Sequence, residues 1–394
     1  MVSTPVYLLD GGLGTTLEAP PYSITFNNST PLWASHLLIS APETLLKVHE
    51  DFIKNGATVL LTATYQTSFV GFAATPKSVS AFEEIQGARE VDESLQKHAV
   101  DYNKDDAARF MKKAVGLAQE AFNLTGSRDR GSIALSLGAY GATMRPSQEY
   151  TGGYESHMLD VMGLQTWHTE RLAVFTDDPL IWEQIDLIAF ETLPVLNEIH
   201  AVRRVMAATN RAFQTRAQRK PWYISCVFPH EELRLPDGSM IAEVVEAAFR
   251  DEEEEEPVPS GIGINCTAPG KLRDLIDEFE RVLAVEQKRR EENLEGSKKL
   301  KPFLVLYPDG ADGSVYNTTT HEWEQRDELA VEPKKPWDIK VAEVVAETKE
   351  RGQWSSIIVG GCCKTTPKDI GKLRARLEDS GTKVGAAGEW IRSL

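Results

Sequence analysis

Two cysteines stand side by side late in the chain, directly after the apolar run and the two glycines of "SSIIVGGCC". The chain has only four cysteines in 394 residues, so such a pair is unusual. Neighbouring Cα atoms lie ~3.8 Å apart, closer than the usual range for a disulfide. Cys362 and Cys363 are therefore candidates for metal binding or catalysis rather than for a bridge to each other.

A third cysteine, Cys266, follows a different apolar run, "GIGIN". Thiolates are soft ligands that suit Zn²⁺, and three protein ligands would leave a fourth position for a substrate. The alternative is that each cysteine is a small buried apolar side chain, a common role of free cysteine. The residue pattern alone does not decide between the two. Cys226 lies inside a further run, and we expect it to be a core residue.

The composition disfavours several classes of protein. The formal net charge of -16 argues against a nucleic-acid surface, because phosphate binding requires clustered Lys and Arg. No apolar run reaches the ~18 residues of a membrane-spanning helix, and the first residues do not resemble a secretory signal. The four cysteines are then expected to be reduced. We expect a cytoplasmic protein without membrane or nucleic-acid partners, either monomer or dimer.

Eight short apolar runs recur along the chain, with helical patterns between several of them. None alternates cleanly between apolar and polar residues, which is typical of strands buried on both faces. In order, the runs are 5–10, 57–62, 131–138, 185–191, 222–228, 261–265, 302–308 and 355–361. Eight strands alternating with helices predict a single α/β domain over 1–394, a (β/α)₈ TIM barrel. A doubly wound open sheet is the alternative.

Two segments have the character of insertions into this barrel. Residues 76–130 are too long for a simple crossover and are mostly polar with a helical pattern. Residues 250–260, "RDEEEEEPVPS", are typical of a solvated acidic loop. We expect both to be additions to one domain rather than domains of their own.

The chemically unusual residues follow the apolar runs, and barrel enzymes place their chemistry at the carboxyl ends of strands. Asp10 follows the first run and Glu191 ends the fourth. Other polar or glycine-rich stretches in such positions are "TATYQ" after the second run and "GAYG" after the third. The "GGLG" after the first run lacks the complete glycine fingerprint of a dinucleotide site, which disfavours a nucleotide-binding protein.

These stretches resemble the homocysteine S-methyltransferases, zinc-dependent barrel enzymes that methylate the thiol of homocysteine to give methionine. The most specific match is "GINC" combined with "GGCC". Further matches span almost the entire chain in the family's order, among them "LLDGGLGTTLE", "GATVLLTATYQTSFVGF", "SLGAYGATMRPSQEYTGGY" and "LIAFETLPVLNEIHAV". The form "TATYQ" resembles the branch that uses S-methylmethionine or S-adenosylmethionine.

The resemblance implies one Zn²⁺ ion per chain, ligated by Cys266, Cys362 and Cys363. It also implies that Asp10 and Glu191 face the amino-acid end of homocysteine. The rest of the substrate site is expected around Thr62, Tyr65, Ser136 and Gly138. Trp33 and Tyr140 are candidates for the wall of a donor pocket, through cation–π contact with a sulfonium, with ordinary packing as the alternative.

The reaction implied is methyl transfer from S-methylmethionine or S-adenosylmethionine to L-homocysteine. Zinc would keep the acceptor sulfur deprotonated, and a sulfonium is a good leaving group that requires no general acid. The enzyme would then act by bringing the two sulfurs into line. Two alternatives remain: a methyltransferase for a related thiol or selenol such as selenocysteine, and a barrel that binds zinc or thiols without catalysis.

Overall fold

The computed structural model describes residues 4–27, 30–76, 102–129, 131–250, 257–293, 300–311, 314–317, 322–325 and 335–394. Its ten strands are β1 Val6–Leu8, β2 Val59–Leu61, β3 Ser132–Gly138, β4 Leu187–Leu193, β5 Trp222–Cys226, β6 Gly261–Asn265, β7 Phe303–Tyr307, β8 Ser314–Asn317, β9 Glu322–Gln325 and β10 Ile357–Val359. Strands β8 and β9 form a separate antiparallel pair. The other eight all coincide with or overlap the predicted apolar runs.

These eight strands form one parallel sheet in the order β1-β10-β7-β6-β5-β4-β3-β2. Its two edges meet, because the N–H of Asp10 donates to the carbonyl of Val59 at 3.1 Å and the N–H of Thr58 donates to the carbonyl of Leu8 at 2.7 Å. An isolated parallel bridge joins Leu9 to Val59 at the same seam. The sheet therefore curves into a nearly closed barrel, which confirms the predicted fold.

Helices lie between the strands and form the outer layer. They are α1 Leu13–Glu18, α2 Leu37–Ser40, α3 Pro42–Lys54, α4 Phe69–Ala73, α5 Lys104–Leu124, α6 Val161–Thr176, α7 Pro179–Gln184, α8 Leu196–Ala212, α9 Ile241–Phe249, α10 Leu272–Asn293, α11 Trp337–Arg351, α12 Pro367–Asp379 and α13 Ala387–Ser393. In α3, the side chains of Leu45, Val48 and Phe52 are buried, as the helical spacing predicts.

Part of the expected insertion 76–130 is the crossover helix between β2 and β3. Helix α5 begins after Asn103, whose Oδ1 accepts a hydrogen bond from the N–H of Asp106. Its buried face includes Met111, Val115 and Phe122, and it packs against α3. Residues 77–101 of that segment, and residues 251–256 of the expected acidic loop 250–260, lie outside the described residues.

The amino-terminal end of the barrel is closed by the last helix, α13. The ring of Trp390 stacks on Tyr7 with 4.3 Å between centroids and meets Phe303 edge-on at 5.4 Å. Aromatic stacking of this kind buries a large apolar area. The opposite end of the barrel, where the carboxyl ends of the strands lead into loops, is available for a functional site. Within the described residues, no helix is long and apolar enough to cross a membrane.

Candidate metal and substrate site

Three cysteine side chains meet at the carboxyl end of the barrel. Cys266 follows β6, whereas Cys362 and Cys363 follow β10. The three Sγ atoms lie within 4.8 Å of one another, and those of Cys362 and Cys363 are 4.0 Å apart. The structure pairs Cys266 with Cys362 as a disulfide and leaves Cys363 a free thiol. Cys226 lies fully buried within β5, at the core position that the sequence predicts.

Close backbone approach holds the adjacent cysteines in place. The N–H of Gly361 donates to the carbonyl of Asp10 at 3.0 Å, and the N–H of Cys362 donates to the carbonyl of Pro308 at 3.0 Å. A β-carbon on Gly361 would lie 2.3 Å from Oγ1 of Thr365, so only glycine fits there. The loop after β10 is thereby fixed to the loops after β1 and β7.

The donor set suits a soft divalent metal such as Zn²⁺. Three sulfurs converge, and Asn265 donates its Nδ2 hydrogen to Sγ of Cys266 at 3.3 Å. Burial raises the pKa of the Cys363 thiol to about 12, which favours the neutral thiol. A nearby dication would act in the opposite direction and favour the ionised form. Metal ligation requires all three cysteines as free thiolates.

The sulfurs open into a cavity of about 400 Å³. Six other residues that the sequence predicts for the site line it together with all three cysteines: Asp10, Trp33, Thr62, Tyr65, Ser136 and Glu191. Its volume lies in the usual range for small-molecule sites. The expected metal ligands and most of the expected substrate contacts therefore share one space.

Two carboxylates are buried in this cavity. Asp10 accepts a hydrogen bond on Oδ2 from the N–H of Leu61 at 3.0 Å, while its buried Oδ1 has no partner among the described residues. Glu191 accepts a hydrogen bond from the hydroxyl of Ser136. Burial raises the pKa of Asp10 well above its usual value, with a further contribution from the charge of Glu191. Burial likewise raises the pKa of Glu191 to about 7. A bound cation would stabilise both ionised groups.

A network of polar side chains connects Glu191's strand to the cysteines. Thr192 follows Glu191 in a left-handed conformation with φ of 60°, at a register shift in β4. Its N–H donates to Oδ1 of Asn265 at 3.1 Å, and Nδ2 of Asn265 donates to Oγ1 of Thr192 at 2.6 Å. Ser225 lies in hydrogen-bond distance of both Asn265 and Tyr307. Such a network fixes the rim of the cavity.

Two of the predicted site residues do not line the cavity. A β-carbon on Gly138 would lie 2.6 Å from the ring and the carbonyl of Tyr65, so Gly138 packs behind that residue. The ring of Tyr140 instead contacts Tyr154 and Trp167, with centroids 5.2 and 5.4 Å away, and its hydroxyl donates to Glu155 at 3.0 Å. The structure thus places Tyr140 in an aromatic cluster, which agrees with ordinary packing rather than with a role in the donor pocket.

Sequence reasoning missed several cavity residues. Arg145, Glu149 and Tyr150 come from the loop after β3. The loop residues stand in "MRPSQEYTGGY", a stretch without strand or helix periodicity that could have marked their position. Their inward placement depends on how the loop folds back, which local patterns do not specify.

A buried cation outside the cavity supports the loops after β2 and β3. Arg171 of α6 donates from Nη1 to the carbonyl of Gly138 at 2.7 Å and from Nη2 to the carbonyls of Thr64 and Tyr65, both at 2.6 Å. The carbonyl of Gly138 ends β3, and the other two follow the neighbouring strand β2. Arg171 therefore sets the position of Tyr65, although the guanidinium does not line the cavity.

Comparison with known proteins matches the chain to relatives over nearly its full length. The family model described as homocysteine S-methyltransferase covers residues 7–377. Homocysteine S-methyltransferase 1 of Arabidopsis thaliana is 27% identical over 372 residues, covering 94% of this chain and 93% of the relative. The homocysteine S-methyltransferase of Escherichia coli (strain K12) is 28% identical over 373 residues, covering 94% and 95%. A selenocysteine Se-methyltransferase of Brassica oleracea var. italica is 26% identical over 373 residues, covering 94% and 88%.

Solved structures show the same fold. The metallated form of the homocysteine methyltransferase MmuM from Escherichia coli superposes with a TM-score of 0.59 at 24% identity, covering 94% of this chain and 96% of that one. The oxidized form gives a TM-score of 0.61 at 24% identity with the same coverage. Because the family model spans all eight barrel strands except the first residue of β1, the chain belongs to the homocysteine S-methyltransferase family of enzymes.

Proposed function

We propose that the protein transfers a methyl group from a sulfonium donor, S-methylmethionine or S-adenosylmethionine, to the thiol of L-homocysteine, forming methionine. The observation that carries this proposal is the convergence of three sulfurs and two buried carboxylates on one cavity. Cys266, Cys362 and Cys363 would hold one Zn²⁺ ion per chain. When bound, zinc supplies Lewis acidity that keeps the acceptor sulfur deprotonated and nucleophilic.

Asp10 and Glu191 would bind the ammonium group of homocysteine. Both carboxyl groups are buried, and Oδ1 of Asp10 has no partner among the described residues. A buried carboxylate without a counter-charge is costly, so an ammonium group in hydrogen-bond contact is favourable to both partners. The amino acid would then be oriented with its thiol toward the three cysteines.

The donor would occupy the open part of the cavity beside Trp33, whose ring meets Phe26 at 6.0 Å between centroids. In the transfer, the bond between the methyl carbon and the donor sulfur breaks as a bond to the homocysteine sulfur forms. The electron pair stays on the donor sulfur, which becomes a neutral thioether, and the acceptor thiol's proton is released. No acid is needed, so the residues contribute by holding two sulfurs in line.

A methyl-transfer assay tests this function. Reduced, zinc-loaded protein is given L-homocysteine with S-methylmethionine or S-adenosylmethionine, and methionine is quantified by mass spectrometry using a donor labelled at the methyl group. Labelled methionine is expected with at least one donor and is expected to disappear in Cys362→Ala. Stoichiometric zinc without labelled methionine from either donor would contradict the proposal.

A second acceptor is supported by one of the relatives. The selenocysteine Se-methyltransferase matches 94% of this chain at an identity close to that of the homocysteine enzymes. Selenocysteine has the same ammonium and carboxylate groups as homocysteine but a side chain one methylene shorter. Competition between the two acceptors for one labelled donor separates the functions, and we expect homocysteine to give the larger kcat/KM.

A further inference from the structure

A third carboxylate, Glu149, is buried in the cavity and has no role in the function proposed above. Glu149 is 6% exposed and lines the same cavity as the three cysteines. Oε2 has no hydrogen-bond partner among the described residues. A buried, unpartnered carboxylate oxygen costs free energy unless a ligand supplies a donor or a positive charge. Glu149 therefore has the properties of a ligand-binding group.

The loop that carries Glu149 is held by its own backbone hydrogen bonds. The carbonyl of Gly141 accepts from the N–H groups of Met144 at 3.2 Å and Gln148 at 2.8 Å, and the carbonyl of Gln148 accepts from the N–H of Gly152 at 2.8 Å. A β-carbon on Gly141 would lie 3.0 Å from the nitrogen of Glu149, so the beginning of the loop contacts the segment that carries Glu149. The carboxyl group is thus preorganised in the cavity.

A cation from the same loop also lines the cavity. Arg145 lies four residues before Glu149, and the part of the chain that the structure describes gives its guanidinium no hydrogen bond or ion pair. Partial burial lowers the pKa of Arg145, although such a group stays protonated at neutral pH. One loop therefore offers a negative and a positive group to whatever fills the cavity.

The two groups match the charges of an α-amino acid. A methyl transfer between S-methylmethionine or S-adenosylmethionine and homocysteine brings two α-amino acid groups into one cavity, each with an ammonium and a carboxylate. Asp10 and Glu191 are close enough that the charge of one raises the pKa of the other. Glu149 comes from the loop after β3, whereas Asp10 follows β1 and Glu191 lies within β4. The cavity thus has a second carboxylate position for the second ammonium group.

We propose that Glu149 and Arg145 form the subsite for the α-amino acid group of the sulfonium donor, with Glu149 binding its ammonium and Arg145 its carboxylate. This inference rests on the proposed function and identifies the donor as a sulfonium amino acid. A guanidinium is suited to bidentate carboxylate binding, and a carboxylate to an ammonium. Burial raises the pKa of Glu149 to about 7, and a bound ammonium would favour the ionised form.

Donor binding measured without homocysteine tests the subsite independently of turnover. Isothermal titration calorimetry is performed on reduced, zinc-loaded protein with S-methylmethionine, S-adenosylmethionine, dimethylsulfoniopropionate, which lacks the ammonium, and trimethylsulfonium, which lacks both groups. Glu149→Gln is expected to weaken the two amino-acid donors about tenfold or more and to leave dimethylsulfoniopropionate within about twofold. Arg145→Gln is expected to weaken all three carboxylate-bearing donors and not trimethylsulfonium.

The matched control is Glu155→Gln, which removes an exposed carboxylate a few residues further along and outside the cavity. It should bind every probe as the wild type does, and melting temperatures of all variants verify folding. Equal weakening of all four probes by Glu149→Gln, a loss of homocysteine affinity instead, or a wild type that binds neither amino-acid donor would overturn the subsite. Glu149-dependent binding of S-methylmethionine without any methionine formation would instead uphold the subsite and contradict the proposed function.

Discussion

The Cα atoms of Cys266 and Cys362 lie 5.6 Å apart although 96 residues separate them along the chain. The strand order explains this proximity, because β7 alone lies between β6 and β10. Both cysteines come directly or shortly after their strands, and Cys266 adopts a left-handed conformation with φ of 47°. The cysteine cluster is therefore a product of how the barrel is assembled rather than of any local motif.

Replacing one cysteine of the cluster should abolish metal binding. In Cys266→Ser, one of three soft ligands becomes a hydroxyl, and we expect zinc to fall from about one ion per chain to a small fraction of that under the same dialysis conditions. Zinc content by inductively coupled plasma mass spectrometry measures this directly. The control is Cys226→Ala in β5, which should keep full zinc and lose only ~1 kcal/mol of stability from the small cavity. Equal zinc in wild type and Cys266→Ser would exclude Cys266 as a ligand.

The sequence predicts the barrel well because its signals are repeated. Each of the eight runs is a short, apolar segment, and strands buried on both faces need no more than that. The cysteines, Asp10 and Glu191 could be found because chemistry collects at the carboxyl ends of barrel strands. Their places after the runs make them candidates, whereas the expected roles in zinc and ammonium binding come from the resemblance to the homocysteine S-methyltransferases.

Other parts of the site could not be predicted in this way. Glu149 is buried on an irregular loop that is held by backbone hydrogen bonds from Met144 and Gln148 to Gly141, which no periodicity encodes. Tyr140 stands after β3 like the true cavity residues, yet its ring turns to Tyr154 and Trp167. Position after a strand identifies candidates, but side-chain direction depends on tertiary packing.

Removing the guanidinium of Arg171 should loosen the loops after β2 and β3. Arg171→Met keeps much of the side chain's volume and leaves three carbonyls without their donor, so we expect a loss of about 3–5 kcal/mol in the free energy of unfolding. Urea denaturation measures it, together with a higher KM for homocysteine, because Tyr65 lines the cavity. Arg109→Gln on α5, where the side chain is 68% exposed, should change neither quantity. A free energy of unfolding within about 0.5 kcal/mol of the wild type in Arg171→Met would refute the role of Arg171 in stabilising these loops.

Acid should destabilise the protein through His49. This residue of α3 is 1% exposed, neither ring nitrogen has a partner among the described residues, and burial lowers its pKa to about 4. An unfolded histidine has a pKa of about 6.5. As the pH falls from about 6.5 to about 4, the unfolded state therefore binds a proton that the folded state does not. The free energy of unfolding declines by roughly 3 kcal/mol over this range. His49→Leu should remove this component from the dependence of urea midpoints on pH, whereas His157→Gln, at an exposed site, should not. The difference between wild type and variant isolates His49 from buried carboxyl groups such as Glu191, whose raised pKa acts in the opposite direction. Identical pH profiles for wild type and His49→Leu would contradict the expectation.

A methyl group on Gly14 should displace the aromatic wall of the cavity. A β-carbon there would lie 2.2 Å from Cζ2 and Cη2 of Trp33, so the indole ring must move in Gly14→Ala. If Trp33 contacts a sulfonium, losing a cation–π contact of ~0.5–2 kcal/mol raises the donor's KM by roughly 2- to 30-fold, and the KM for homocysteine changes less. Steady-state kinetics with each substrate varied in turn provide the measurement. Gly116→Ala is the matched control, since no atom lies within 4 Å of the added carbon in α5 and the change should stabilise the helix by ~0.5–1 kcal/mol with unaltered kinetics. An unchanged donor KM in Gly14→Ala, with the indole shown by its fluorescence to have moved, would leave Trp33 a packing residue and place the sulfonium elsewhere in the cavity.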